Sequence, residues 1–415
     1  MRYGFIAGIA AVAAWLLFVP AGAQNAAPNA VLAEETPRVF TVDPAKLRIH
    51  RIRVGGDFQP AGQLEDPYVY AQTMMVRWAT TGLYALSYVS LVTTTTNTRA
   101  DDMVLFGGPP DPGTLGYDMT TPVACISEID TLLVNAGTTA VTVSITLDIH
   151  PWNGAFSATS SPPNVVGASI HTQTASVTLP ASSLVLVTWD VKTARGGTPL
   201  PTPKATWIKL TAPFGTPTTV GWIISNSTPG NTSFLPGRGY FRTDPTAAGG
   251  SVFVFLPHGS FAFAARGTHN FVGRLNLSAL ADRAKPKDLW DIEFDADGPS
   301  DPDGDGVEEG LRRNIIDVTV TNDAGPTPFS SRFVTYINAD GRFTLPVDAA
   351  ISQIKVRRWD NALVATFNRP AAWSNDPCSP TDLGAVTVNF GDVNGDGTID
   401  DSDLLTVLFN FGLSE

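Results

Sequence analysis

A chain of 415 residues with 37 Gly, 32 Pro and only 16% charged residues is long enough for two or three domains, and too rich in chain breakers for a mainly helical protein. Its 39 acidic and 27 basic residues leave a formal net charge of −12, and no basic patch offsets that field, which excludes nucleic acid as a partner. The acids are also unevenly placed: nine lie between Asp291 and Glu309 and five between Asp392 and Asp403, and blocks this dense repel unless a cation such as calcium neutralises them.

The chain opens with Arg2, an apolar run from Phe5 to Val19, then Pro20 and the small triplet Ala21-Gly22-Ala23 before Gln24. This is the layout of a secretory signal peptide over residues 1–23. The run is shorter than the roughly 20 residues that span a bilayer, and no other apolar stretch reaches that length, so no membrane span is expected in the mature chain. The expectation is a secreted protein, extracellular or at the cell surface.

From about Val39 to Arg266 the chain reads as successive strands. In Val141–Ile149 every odd residue is apolar and every even one polar, the period-2 signature of a sheet with one buried face. Similar runs are Leu83–Val92, Ser127–Val134, Leu184–Trp189, Val220–Ile224, Ser251–Leu256 and Phe261–Ala264. Breakers such as Gly107-Gly-Pro-Pro-Asp-Pro-Gly113 separate them. Many short strands without helical period predict an all-β fold, here a jelly-roll-like β-sandwich domain over residues 24–270.

A second β segment follows, with strands expected at Gly273–Leu280, Trp290–Phe294, Ile315–Thr321, Phe333–Ile337, Arg342–Val347, Gln353–Arg358 and Leu363–Phe367. Asn338-Ala-Asp-Gly341 and Asp360-Asn361 supply hairpin turns. About seven short strands over roughly 115 residues suit an immunoglobulin-like β-sandwich domain, residues 271–384. Trp373–Pro380 then reads as a linker and Ala385–Phe390 as a last strand.

The two cysteines, Cys125 and Cys378, either form a bridge that closes a very long loop or remain two buried or free thiols. The chain lacks the HExxH, GxSxG, Walker and GxGxxG patterns, and His50, His150, His171, His258 and His269 are scattered. Asp148 and His150 flank Ile149 on one strand face, which reads as polar alternation in the absence of a placed nucleophile. Carboxylate pairs for glycoside hydrolysis leave a hydrolase as an alternative. Trp152, Trp189, Trp207 and Trp222 are either core or a platform for sugar rings.

The chemistry is concentrated in residues 392–403, Asp-Val-Asn-Gly-Asp-Gly-Thr-Ile-Asp-Asp-Ser-Asp. Calcium takes six to eight oxygens, and this spacing wraps one short loop round the ion. Asp392, Asn394 and Asp396 offer side chains, and Gly397 permits the reversal that presents the Thr398 carbonyl. Asp400 binds directly or through water, and Asp403 closes the shell from the first turn of a helix. In that helix Leu404, Leu405, Val407, Leu408 and Phe411 form an apolar face, with Gly412 at its end.

Gly391–Gly412 as a whole resembles one repeat of a type I dockerin, a family with Asp as the closing ligand and an exiting helix but no entering one. The resemblance implies a calcium-dependent module for protein attachment, with a cohesin-like or other surface protein, or a second copy of the chain, as partner. It delimits a C-terminal repeat at residues 385–415. Dockerins carry two such repeats packed together, and this sequence holds one. Asp301-Pro-Asp-Gly-Asp-Gly306 is similar to the calcium repeats of thrombospondin type 3, and the stretch to Glu309 is either a second calcium site or a solvated acidic loop. Counted as an EF loop it places Arg312 at the closing position, the wrong sign for a ligand. Residues 98–266 resemble uncharacterised secreted bacterial sandwich domains, carried by Asp101–Leu105, Ile129–Leu133, Val141–Ile149 and Phe261–Arg266. The expected function is non-catalytic attachment or self-assembly. The alternatives are a carbohydrate-binding accessory protein of a polysaccharide-degrading system and a β-rich hydrolase.

Overall fold

The computed structural model describes residues 38–41, 49–56, 65–72, 83–88, 97–105, 121–152, 168–214, 219–226, 240–242, 252–254, 259–279, 285–286, 290, 314–322, 329–347, 351–357, 364–387 and 401–410. Strands dominate among them, so the chain is all-β.

In chain order the strands of the first part are β1 (Arg38–Thr41), β2 (Ile49–Val54), β3 (Tyr68–Gln72), β4 (Leu83–Tyr88), β5 (Asn97–Val104), β6 (Pro122–Asn135), β7 (Val141–Pro151), β8 (His171–Leu179), β9 (Ser183–Asp190), β10 (Leu200–Pro203), β11 (Ala205–Ala212), β12 (Val220–Asn226), β13 (Tyr240–Arg242), β14 (Val252–Val254), β15 (Gly259–Phe261) and β16 (Phe263–Thr268), with a one-turn helix α1 (Val191–Ala194) after β9. One sheet of ten strands has the path β1-β4-β12-β6-β16-β3, with β2, β9, β10 and β15 branching from it, and a six-stranded sheet runs β14-β13-β5-β11-β7-β8. A single core draws Ile129, Val187, Trp189 and Trp222 from the first and Met103, Ile145, Leu147 and Ile208 from the second, so the two sheets pack across it.

Strand β7 alternates as its sequence predicts, with Val143, Ile145, Leu147 and Ile149 buried and Thr142 and Ser144 exposed. Strands β1, β2, β3, β5, β8, β10, β11 and β13 lie outside the alternating runs, and β5 shows why. It buries Asp101, whose carboxylate accepts the Phe261 backbone N–H at 2.6 Å; a satisfied polar group costs little inside but erases the apolar pattern.

Strand β6, 14 residues long, is hydrogen-bonded along both edges: β10 and β9 share one, β16 and β12 the other. Its register against β16 jumps from Arg266↔Glu128 to Gly267↔Ile126, leaving Ser127 as the extra residue of a bulge that swaps the faces of the strand. Ala124 and Ile126 before it, and Ile129 and Leu133 after it, reach the same core. Cys125, Glu128, Asp130, Leu132 and Val134 therefore share the outer face.

The second part contains β17 (Phe271–Asn276), a 3-10 turn (Leu277–Ala279), β18 (Ile315–Asn322), β19 (Phe329–Tyr336), β20 (Arg342–Leu345), β21 (Gln353–Arg357), β22 (Val364–Asn368), β23 (Thr381–Thr387) and helix α2 (Asp401–Asn410). Its strands form a sheet of three, β20-β17-β23, and a sheet of four, β19-β18-β21-β22. Phe271, Leu275, Phe343 and Leu345 meet Ile316, Val318, Ile354 and Phe367 in one core. The hairpin turn expected at Asn338–Gly341 is present, with Gly341 at φ +85°. Of the strand expected at Trp290–Phe294, Trp290 lies in a turn and the remainder falls outside the described residues.

Two segments differ from expectation. Trp373–Pro380 is a fixed strap: Trp373 stacks on Phe271 with centroids 6.0 Å apart, the side chains of Ser374 and Asp376 each accept a backbone N–H two residues on, and Cys378 is bridged to Cys125 with Cα atoms 5.0 Å apart. The following strand begins at Thr381, pairs parallel with β17 and straddles residues 384 and 385.

The two parts meet on the outer face of the ten-stranded sheet. There Leu132, Val134, Leu184, Leu186 and Ala264 pack against Trp290, with Tyr336 beside them. At the crossover, His269 Nδ1 donates to the Val123 carbonyl at 2.7 Å, Thr268 donates to the Pro377 carbonyl at 2.6 Å, and the Asn270 side chain bonds both the Val347 carbonyl and the Val347 N–H.

Candidate functional site

The C-terminal segment places its helix where the sequence predicts it. Helix α2 spans Asp401–Asn410; Asp401 at its start complements the positive end of the helix dipole. Leu404, Leu405 and Leu408 stand one turn or less apart on one side, and they are 58%, 48% and 58% exposed. They are the exposed large apolar side chains among the described residues. Of the six expected calcium ligands, Asp403 lies in the first turn of α2, whereas Asp392, Asn394, Asp396, Thr398 and Asp400 lie outside the described residues, as does the acidic stretch Asp301–Glu309. Among the described residues no three metal-ligating side chains converge.

A different group of charged side chains does converge, on the outer face of the ten-stranded sheet. Arg53 of β2 donates through Nη2 to Glu128 Oε1 at 2.5 Å and Asp190 Oδ2 at 2.7 Å. Arg266 of β16 reaches Glu65 at 2.9 Å and Glu128 at 3.4 Å through Nη1, and through Nη2 it reaches Tyr68 Oη at 2.8 Å and Asp130 at 3.5 Å. Asp130, fully buried, also accepts from Thr188 at 2.6 Å and from Trp290 Nε1 at 2.9 Å. The arrangement spends every carboxylate on a donor from another strand. Burial pushes the Glu128 carboxyl up, against the pull of Arg53 and Arg266. Burial works the same way on Asp190, yet the Thr193 N–H and hydroxyl and Arg53 hold it below the usual range. Chemically this is a clamp joining β2, β6, β9, β16 and Trp290. Its traces in the sequence are Glu128 and Asp130 within the apolar run Ile126–Val134 and Arg266 directly after Phe261–Ala265, and neither run shows what those charges pair with.

The four candidate sugar-stacking tryptophans are core. Trp189, Trp207 and Trp222 are 0% exposed and Trp152 is 5% exposed; Trp152 stacks on Trp207 and Trp222 on Phe261. A platform for a ring needs an open face, and these indoles have none. Asp148 accepts from Thr172 at 2.6 Å and pairs with Lys209 at 3.1 Å, in keeping with polar alternation beside the buried His150. His50 is exposed, His171 and His269 are buried, and His258 lies outside the described residues. No family model, curated protein or solved structure matches the chain.

Proposed function

We propose that this is a secreted, non-catalytic extracellular or cell-surface protein in which two β-sandwich domains, jelly-roll-like and then immunoglobulin-like, carry a dockerin-like module for protein attachment. The module holds one calcium ion through Asp392, Asn394, Asp396, Thr398, Asp400 and Asp403. The observation that carries this reading is the exposed Leu404, Leu405 and Leu408 stripe on α2. An isolated helix of ten residues is marginal in water, so one with an open leucine face directly after a calcium-loop sequence is suited to being covered by a partner. That partner is a cohesin-like or other surface protein, or a second copy of the chain. The Cys125–Cys378 bridge supports export, because such bonds persist in oxidising compartments.

Calorimetry of the full chain should give one calcium-binding event that Asp392→Ala removes, since four carboxylates crowded in the apo loop repel until the ion neutralises them. Sedimentation should show calcium-dependent association, with itself or with its native cell surface, that Leu408→Asp abolishes without changing the unfolding of the β cores. Equal heats from wild type and Asp392→Ala would refute the calcium site. A wild-type protein that stays monomeric and unretained with and without calcium would refute attachment.

A further inference from the structure

We propose that the Cys125–Cys378 bridge is a load-bearing stop: it passes tension arriving from the C-terminal module into β6 and prevents the second core from being pulled open from its C-terminal edge. The inference rests on the attachment reading for the source of the tension, and on geometry for everything else.

Tension on α2 reaches β23 first. That strand pairs with β17 alone, in a register that shifts between Val272 and Arg274, and most of its residues are exposed or half-buried. A short edge strand with few buried side chains is the weakest element in the path. Behind it, along the backbone, the strap leads to β22, which is itself the edge of the four-stranded sheet. Without the bridge, tension would strip β23, the strap, β22 and then β21 in turn, each freed edge loading the next.

Cys378 interrupts that sequence three residues before the first residue of β23, Thr381. Its partner lies in β6, between β10 on one edge and β16 on the other. Force is thus handed from an edge strand to the middle of the largest sheet, over the whole of the second core. The two cysteines are 253 residues apart in sequence, so the chain between them is a closed ring that tension applied outside it cannot lengthen. Thr268 and His269 hold the same corner through the Pro377 and Val123 carbonyls, which keeps the bridge seated while load is applied.

The test is single-molecule extension of the mature full chain through covalent handles at its two ends, with the bridge intact, after reduction of the folded protein by a dithiol, and in Cys378→Ser. Covalent handles make the readout independent of calcium or partner binding, so failure of the attachment reading leaves it unaffected. With the bridge intact, extension should end after the segments outside the ring are paid out. Reduction or Cys378→Ser should add on the order of 900 Å of contour, at about 3.6 Å per residue, with opening of the second core appearing as an early rupture event that the bridged chain lacks. Equal contour in all three would show that the cysteines are not joined under load. Added contour in which the second core opens only after the first has unfolded would show that the second core needs no stop at its C-terminal edge, and either result overturns the proposal.

Discussion

His269 stands at the crossover between the two cores with its ring enclosed. Burial lowers its pKa to about 4, against the opposing effect of the Val123 and Val69 backbone groups. An imidazole in an unfolded chain titrates near 6.5, so the folded state binds its proton later as pH falls. Stability from this group is complete above pH 6.5 and is lost as pH falls from there toward 4. The linkage is worth about 2 kcal/mol between pH 7 and pH 5. His269→Gln should therefore flatten the fall in urea midpoint over that interval, while lowering the midpoint at pH 7 because the contact with Val123 is disturbed. An unaltered slope would mean that the ring is hydrated in the fold. Glu128 acts in the opposite direction: its raised carboxyl favours the folded state at low pH and weakens it as pH rises. Rising pH therefore tightens the fold at the His269 crossover and loosens it at Glu128 on the outer face of the ten-stranded sheet.

At the level of elements, the bulge at Ser127 decides which side chains of β6 meet which neighbour. It depends on Gly267, where an added Cβ would lie 2.1 Å from the Cys125 carbonyl oxygen and 2.9 Å from the Ile126 Cα. Both obstacles are backbone, so neither can rotate away. Gly267→Ala should cost about 3 kcal/mol, the upper end of overpacking penalties, read as a lower midpoint in chemical denaturation. A midpoint equal to wild type would show that the bulge relaxes without loss. The same bulge explains what alternation conveys and what it misses. Strand β7 was legible because it keeps one face buried throughout, and β18 because Ile316, Val318 and Val320 repeat in the same way. Strand β6 is buried on both faces and changes phase midway, so its Glu128 and Asp130 looked like the solvent side of an ordinary strand. Helix α2 was legible from a motif whose ligand spacing and leucine stripe need no tertiary context. The clamp of Arg53, Glu128, Asp130, Asp190 and Arg266 was not, since its members come from four strands that only the sheet order brings together.

For the molecule as a whole, the position at which the chain can be cut separates a module on a free linker from one built onto the second core. The sequence reads Trp373–Pro380 as a linker because of its Pro, Ser, Asn and Asp residues, and such composition carries no sign of the Phe271 stack or of the partner of Cys378. The folded chain uses this segment to close the second core: Trp373 covers Phe271, Thr381 N donates to the Asn270 carbonyl, and β23 occupies the open edge of β17. Truncation after Thr387 should consequently preserve cooperative unfolding, because it removes helix α2 and the segment before it and leaves both cores and the bridge intact. Truncation after Pro370 should not. It strips an edge from the three-stranded sheet, uncovers Phe271 and removes a cross-link that spans 253 residues, worth on the order of 5 kcal/mol in the chain-entropy picture. Calorimetric scans of the two truncated proteins distinguish the cases. The longer should unfold at the temperature of the full chain in chelator, a condition in which the proposed module holds no ion. The shorter should unfold earlier, with its second core melting apart from the first. Equal melting of the two would mean that the segment from Ala371 to Thr387 is a tether after all, and that the boundary belongs before the strap.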